Sequence, residues 1–189
     1  MNDLITPAPG AEGIRHRIEF ARDTLHGIQQ LILAMDQKSY LVLVIMGVTS
    51  AAFFSIAGGA LGKVTHGLGP GLIVPASAAW FLIEAALVLW FALRSIQGVV
   101  AAPATIDAPA LVFPVALMKR YDGDAQRYFD RLHTLDSDDI LRDYAAEIIK
   151  TSSVYVEKFH QVEEAVHALY RSLVPWLIGI LATIVIRVW

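Results

Sequence analysis

Apolar and polar positions fall into long blocks along this chain. Residues 39–62, SYLVLVIMGVTSAAFFSIAGGALG, carry no charge between Lys38 and Lys63. As a helix these 24 residues measure about 36 Å, against a hydrocarbon core of about 30 Å, so the pattern predicts a spanning helix. Gly47, Ala51, Ser55 and Gly59 recur at every fourth position and form one small-residue face, the kind that lets another helix approach closely. The segment GKVTHGLGPG follows, dense in helix breakers, and reads as a turn. A second apolar run, 72–93, ends at Arg94, and its single charge is Glu84. An ionisable group at membrane depth faces water or a partner. Glu84 therefore has two readings: a pore-lining or gating carboxylate, or a protonated one hydrogen-bonded to Thr49 or Ser50 across the hairpin. A third run, 172–186, is uncharged but short, and spans if Arg187 snorkels to the far surface; otherwise it is re-entrant or lies in the membrane plane.

Outside the runs the period changes to an amphipathic one. Ile18, Ala21, Leu25, Ile28, Ile32 and Met35 step by three and four, a heptad seam leading into the first run. Asp136, Ser137, Asp138 and Asp139 make an acidic cap and first turn. A longer seam follows through Leu141, Ala145, Ile148, Ser152, Tyr155, Phe159, Val162, Val166, Leu169 and Leu173. Both seams lead toward the membrane, so they are expected to run parallel, with Pro175 bending or restarting the second near the bilayer surface. The expected architecture is all-α. An N-terminal helix (1–38) leads into a transmembrane hairpin (39–93, spans 39–62 and 72–93). A cytoplasmic helical region (94–171) and a C-terminal transmembrane helix (172–189) complete it.

Composition sharpens this picture. The chain is 56% hydrophobic and 17% charged, where a soluble domain averages about 25% charged. The net charge of −3 offers no global field for nucleic acid, and the lack of cysteine excludes thiolate chemistry and disulfides. The opening MNDLITPAPGAEG lacks the basic start and apolar core of a signal peptide. Basic residues gather before the first run and after the second, while only Lys63 lies in the hairpin turn. The positive-inside rule then places the N-terminus in the cytoplasm and the C-terminus outside.

Candidate chemistry is sparse. Lys119, Arg120, Arg127 and Arg131 alternate with Tyr121, Tyr128 and Phe129. Such a set can hold a nucleotide by phosphate pairing and base stacking, or it can be a basic helix on the membrane surface. His160, Glu163, Glu164 and His167 read H-x-x-E-E-x-x-H, in which Glu164-x-x-His167 has di-metal spacing, but the second motif a full site needs is missing, so no metal is expected. No P-loop, nucleophile elbow or Ser/His/Asp arrangement occurs, and an enzyme is not expected.

Two stretches resemble a known family. In LILAMDQKSYLVLVIMG, Asp36 and Lys38 form an Asp-x-Lys pair directly before the first span. The stretch from Tyr128 to Leu181 has an acidic helix start, the Lys158-Phe159 pair and a closing hydrophobic helix. In these features, and in the order of elements throughout, the chain resembles the transmembrane effectors of Pycsar antiphage systems. The polar element that the family shows after its second span is replaced here by AAPATIDAP. The resemblance implies a multi-pass homo-oligomer in the bacterial inner membrane, partnered with a pyrimidine cyclase. It implies no cofactor; the expected ligand is cyclic UMP or cyclic CMP, and the expected outcome is membrane damage and abortive infection. The residues alone leave two alternatives: a ligand-independent small channel or holin-like toxin, or a structural membrane subunit.

Overall fold

The computed structural model describes residues 11–61, 70–97 and 121–188, all-helical apart from short turns. Helix α1, Ala11–Leu61, is continuous over 51 residues, so the amphipathic seam and the first apolar run are one rod of about 76 Å. Helix α2 is Pro70–Ile96, helix α3 is Ala125–His133, and helix α4, Ser137–Val188, runs for 52 residues. Helices α1, α2 and α4 are each long and apolar enough to cross a membrane.

Local chemistry sets the helix ends. Asp122 and Gly123 both take positive φ (50° and 78°), and Asp124 N–H donates to the Tyr121 carbonyl at 2.8 Å, a tight turn of the Asp-Gly kind. Asp124 then caps α3, its carboxylate accepting from the Arg127 N–H at 3.0 Å. Asp136 accepts from the Ser137 N–H at 2.6 Å, and Asp138 and Asp139 follow in the first turn of α4, the acidic start the sequence predicts.

The described residues divide into two compact units, 11–32 with 121–155, and 33–61 and 70–97 with 156–188. The first unit buries Leu25, Tyr121, Asp143 and Ala146. The second is the membrane bundle. Its core takes Val42, Met46, Phe53 and Ala57 from α1, and Val74, Ala78, Phe81, Ala85, Val88 and Ala92 from α2, with Ala165, Ala168 and Ala182 from α4. The buried positions of α1 continue the heptad step of the N-terminal seam, Met35, Ser39, Val42 and Met46. Packing thus assigns 156–171 to the bundle, where the charge pattern drew its boundary at 171.

Helix α4 passes through Pro175 as one element, without the restart that is one of the two expected outcomes, and that ring is fully buried. The inward face departs from the predicted seam in part. Val162 is buried and Val166 and Leu169 pack against the core as expected, but Ala145, Phe159 and Leu173 are exposed, and Lys158, Ala165, Ala168 and Ser172 are buried instead. The reason is the solvent. Lipid gives bulky apolar side chains no reason to turn inward, so small residues take the helix contact and large ones meet the acyl chains. Gly179 shows how close that contact is: a Cβ there would lie 2.7 Å from Phe53 Cε2 and 2.7 Å from Ser77 Oγ.

Candidate functional site

Inside the bundle two polar layers bind the helices to one another. The first lies where the apolar runs begin. Lys158 of α4 is buried and its Nζ donates to the Asp36 carboxylate of α1. The same Nζ donates to the Ser95 carbonyl of α2 at 2.7 Å. That carbonyl belongs to the last turn of α2, where helix carbonyls lack intrahelical partners and the dipole favours a cation. Ser39 adds a further link, its hydroxyl 3.1 Å from both the Ser95 hydroxyl and the Met35 carbonyl. One ammonium thus joins three helices. Removing one partner of such a buried pair leaves the other charge uncompensated, at about 3–5 kcal/mol.

The second layer lies deeper. Arg171 Nε of α4 donates to the Glu84 carboxylate of α2 at 3.2 Å. Glu84 is buried, while half of the Arg171 side chain remains exposed. This corrects the expected partner of Glu84. Thr49 gives its hydroxyl to carbonyls of its own helix, Ile45 at 2.9 Å and Met46 at 3.0 Å, and Arg171 arrives from a helix that the hairpin reading left out. Nearby, Trp176 Nε1 donates to the Thr49 carbonyl at 3.1 Å and fastens α4 to α1.

The remaining sequence candidates are dispersed. Lys38 is exposed, so only Asp36 of the Asp-x-Lys pair enters the bundle. Gly47, Ala51, Ser55 and Gly59 all face outward, and a Cβ at Gly47 would meet nothing within 4 Å. Arg127 is exposed on α3, and Arg131 donates to Asp139 at 3.2 Å. Lys119 and Arg120 lie outside the described residues. Tyr121 and Tyr128 pack edge-to-face at 5.3 Å. His160 Nδ1 lies 3.7 Å from Glu163, and among the described residues no acidic and histidine group has metal-binding shape. Sequence reasoning missed Ser95 and Arg171. Ser95 meets Lys158 through its backbone, which leaves no trace in residue type, whereas Arg171 was legible as the cation at the leading edge of the third run.

In the first unit, burial raises the Glu147 carboxyl above its ordinary range, against the opposing pull of Lys150 and the Thr151 hydroxyl.

A helical bundle with three membrane-length apolar helices, cross-tied by charge pairs at two depths, defines an integral membrane protein. A family profile, that of the Pycsar effector protein domain, matches residues 20–185, and the chain belongs to that family. It therefore has a role in Pycsar antiphage defence, where a partner cyclase supplies a cyclic nucleotide signal. No curated protein and no solved structure matches it. The two stretches that carried the family resemblance, 122 positions apart at Asp36 and Lys158, meet as one ion pair.

Proposed function

We propose that this protein responds to a cyclic pyrimidine mononucleotide, cyclic UMP or cyclic CMP, by making the inner membrane leak, so that an infected cell is lost before phage mature. The protein acts by binding and rearrangement, as a homo-oligomer with its N-terminus in the cytoplasm. The observation that carries this reading is the Lys158 layer. It joins all three bundle helices through one side chain, and two of them, α1 and α4, are also the helices that run through the first unit. A displacement of either rod is therefore felt at Lys158. The anionic ligand is received by the basic residues Lys119, Arg120, Arg127 and Arg131, and at Arg131 its phosphate shares the guanidinium with Asp139, which holds one of its nitrogens. Binding shifts the helices, the Lys158 layer opens, and the bundle repacks into a leaking state.

The test is dye uptake in cells expressing the protein at low level, with cyclic UMP or cyclic CMP supplied. Uptake only with one nucleotide supports the reading and names the signal. Uptake regardless of nucleotide favours a holin-like toxin, and no uptake under either condition removes the effector mechanism.

A further inference from the structure

The polar layers fix the depth of every residue between them. The 13 helical steps from Lys158 to Arg171 on α4 run beside the 11 steps from Ser95 to Glu84 on α2, about 20 and 17 Å of axis. The apolar runs of α1 and α2 begin at Ser39 and Leu93, close to the Lys158 level. From there to Glu84 these two helices turn large apolar side chains outward: Val44 and Val48 on α1, Leu89 and Trp90 on α2. At the same depth α4 turns out Glu163, Glu164, His167 and Arg171. A lipid environment suits the first set. For the second it costs about 2.5–3.5 kcal/mol for a charge at the membrane centre, even on the most lenient scale. One flat lipid boundary cannot serve both.

The stripe also changes character at one point. His160, Glu164, His167 and Arg171 step by four and three along one face of α4. The same step continues through Val174, Ile178, Leu181 and Val185, all exposed and all apolar. The switch falls at the depth of the Glu84–Arg171 pair.

We infer that copies of this chain assemble with this α4 stripe facing a common axis and the outer faces of α1 and α2 in lipid. Glu163, Glu164, His167 and Arg171 line a water-filled vestibule open to the cytoplasmic side. Val174, Ile178, Leu181 and Val185 close it below as a dewetted apolar seal. The inference rests on the permeabilising reading for the purpose of the passage, but its geometry is tested without any nucleotide.

The chain has no cysteine, so single cysteines report cleanly in the full-length protein in its own membrane. In inverted vesicles, a charged, membrane-impermeant thiol reagent modifies Glu164→Cys and His167→Cys but spares Val44→Cys and Leu89→Cys. Oxidation cross-links His167→Cys between copies. Equal modification at all four positions places this slab in bulk water and overturns the inference. So does protection at 164 and 167, and so does modification without cross-linking, the sign of a single tilted copy. As a second arm, Ile178→Ser raises dye uptake without nucleotide about tenfold over the unsubstituted chain, as a wetted seal requires, while Ile83→Ser on the lipid face of α2 does not. An Ile178→Ser chain that inserts normally and stays tight overturns the seal. Failure of cyclic UMP and cyclic CMP to open the unsubstituted chain removes the permeabilising reading and leaves the labelling pattern to decide the assembly.

Discussion

The two polar layers of the bundle hold charge in different ways. At Lys158 an ammonium is almost wholly enclosed, with a carboxylate and a helix-end carbonyl as its partners. At Glu84 the carboxylate is enclosed while its guanidinium partner is half exposed. The first is a closed joint among three helices; the second is a joint between two, with one side open. An enclosed charge that loses a partner has no substitute, whereas an exposed one turns to water or another donor. The Lys158 layer is therefore the one expected to hold the bundle in a single arrangement.

Substitutions sharpen that contrast. The largest effect falls on Asp36→Ala, which leaves the enclosed Lys158 ammonium without its carboxylate; a loss of about 3–5 kcal/mol is expected in detergent unfolding of the purified protein. Exchanging the charges, Asp36→Lys with Lys158→Asp, restores little, because a carboxylate then faces the Ser95 carbonyl. Full recovery in the exchanged chain would show that this carbonyl is immaterial. Next is Gly179→Ala, whose new methyl group meets Phe53 and Ser77 and costs about 1–3 kcal/mol by overpacking. Gly47→Leu, on the outward face of α1, leaves the stability of the single chain unchanged, and an effect on assembly alone would appear as altered cross-linking. Glu84→Gln costs about 1 kcal/mol or less, since Arg171 keeps its access to water.

The smallest effect is at Glu147, outside the membrane-spanning bundle. Its folded-state pKa lies above the ordinary 4.5, so the native state holds the proton more tightly than the unfolded chain. Stability at this group is lost as pH rises through the folded value and regained as pH falls toward 4.5. Glu147→Gln removes that slope and slightly stabilises the first unit at neutral pH, as thermal melts across this range would show.

Much of this was legible in the sequence. Charge-free length located the two hairpin spans, the acidic cap located the start of α4, and the heptad step of Ile18 to Met35 identified the face of α1 that is carried inward through Val42 and Met46. The second seam held at Val162, Val166 and Leu169 and missed elsewhere, because it ranked side chains by bulk. That rule serves in water, but at Ala165, Ala168 and Gly179 the bundle selects for closeness. The outward face of Gly47 and Ala51 belongs to the same lesson: small residues identify a surface capable of close contact without saying which helix takes it. Arg171 was counted as an end of a run, although its depth depends on how far α4 slides along α2, and no local pattern encodes that offset. The residues proposed to receive a ligand were the least legible, since basic and aromatic residues alternate on membrane-surface helices as readily as in nucleotide sites.

The most direct test of the account compares dye uptake by the unsubstituted chain and Lys158→Met at equal membrane abundance, with and without cyclic UMP or cyclic CMP. The account predicts that the unsubstituted chain leaks only with nucleotide and that Lys158→Met leaks without it, because the joint that holds the closed bundle is gone. A Lys158→Met chain that stays tight until nucleotide arrives, and then opens like the unsubstituted one, would contradict it.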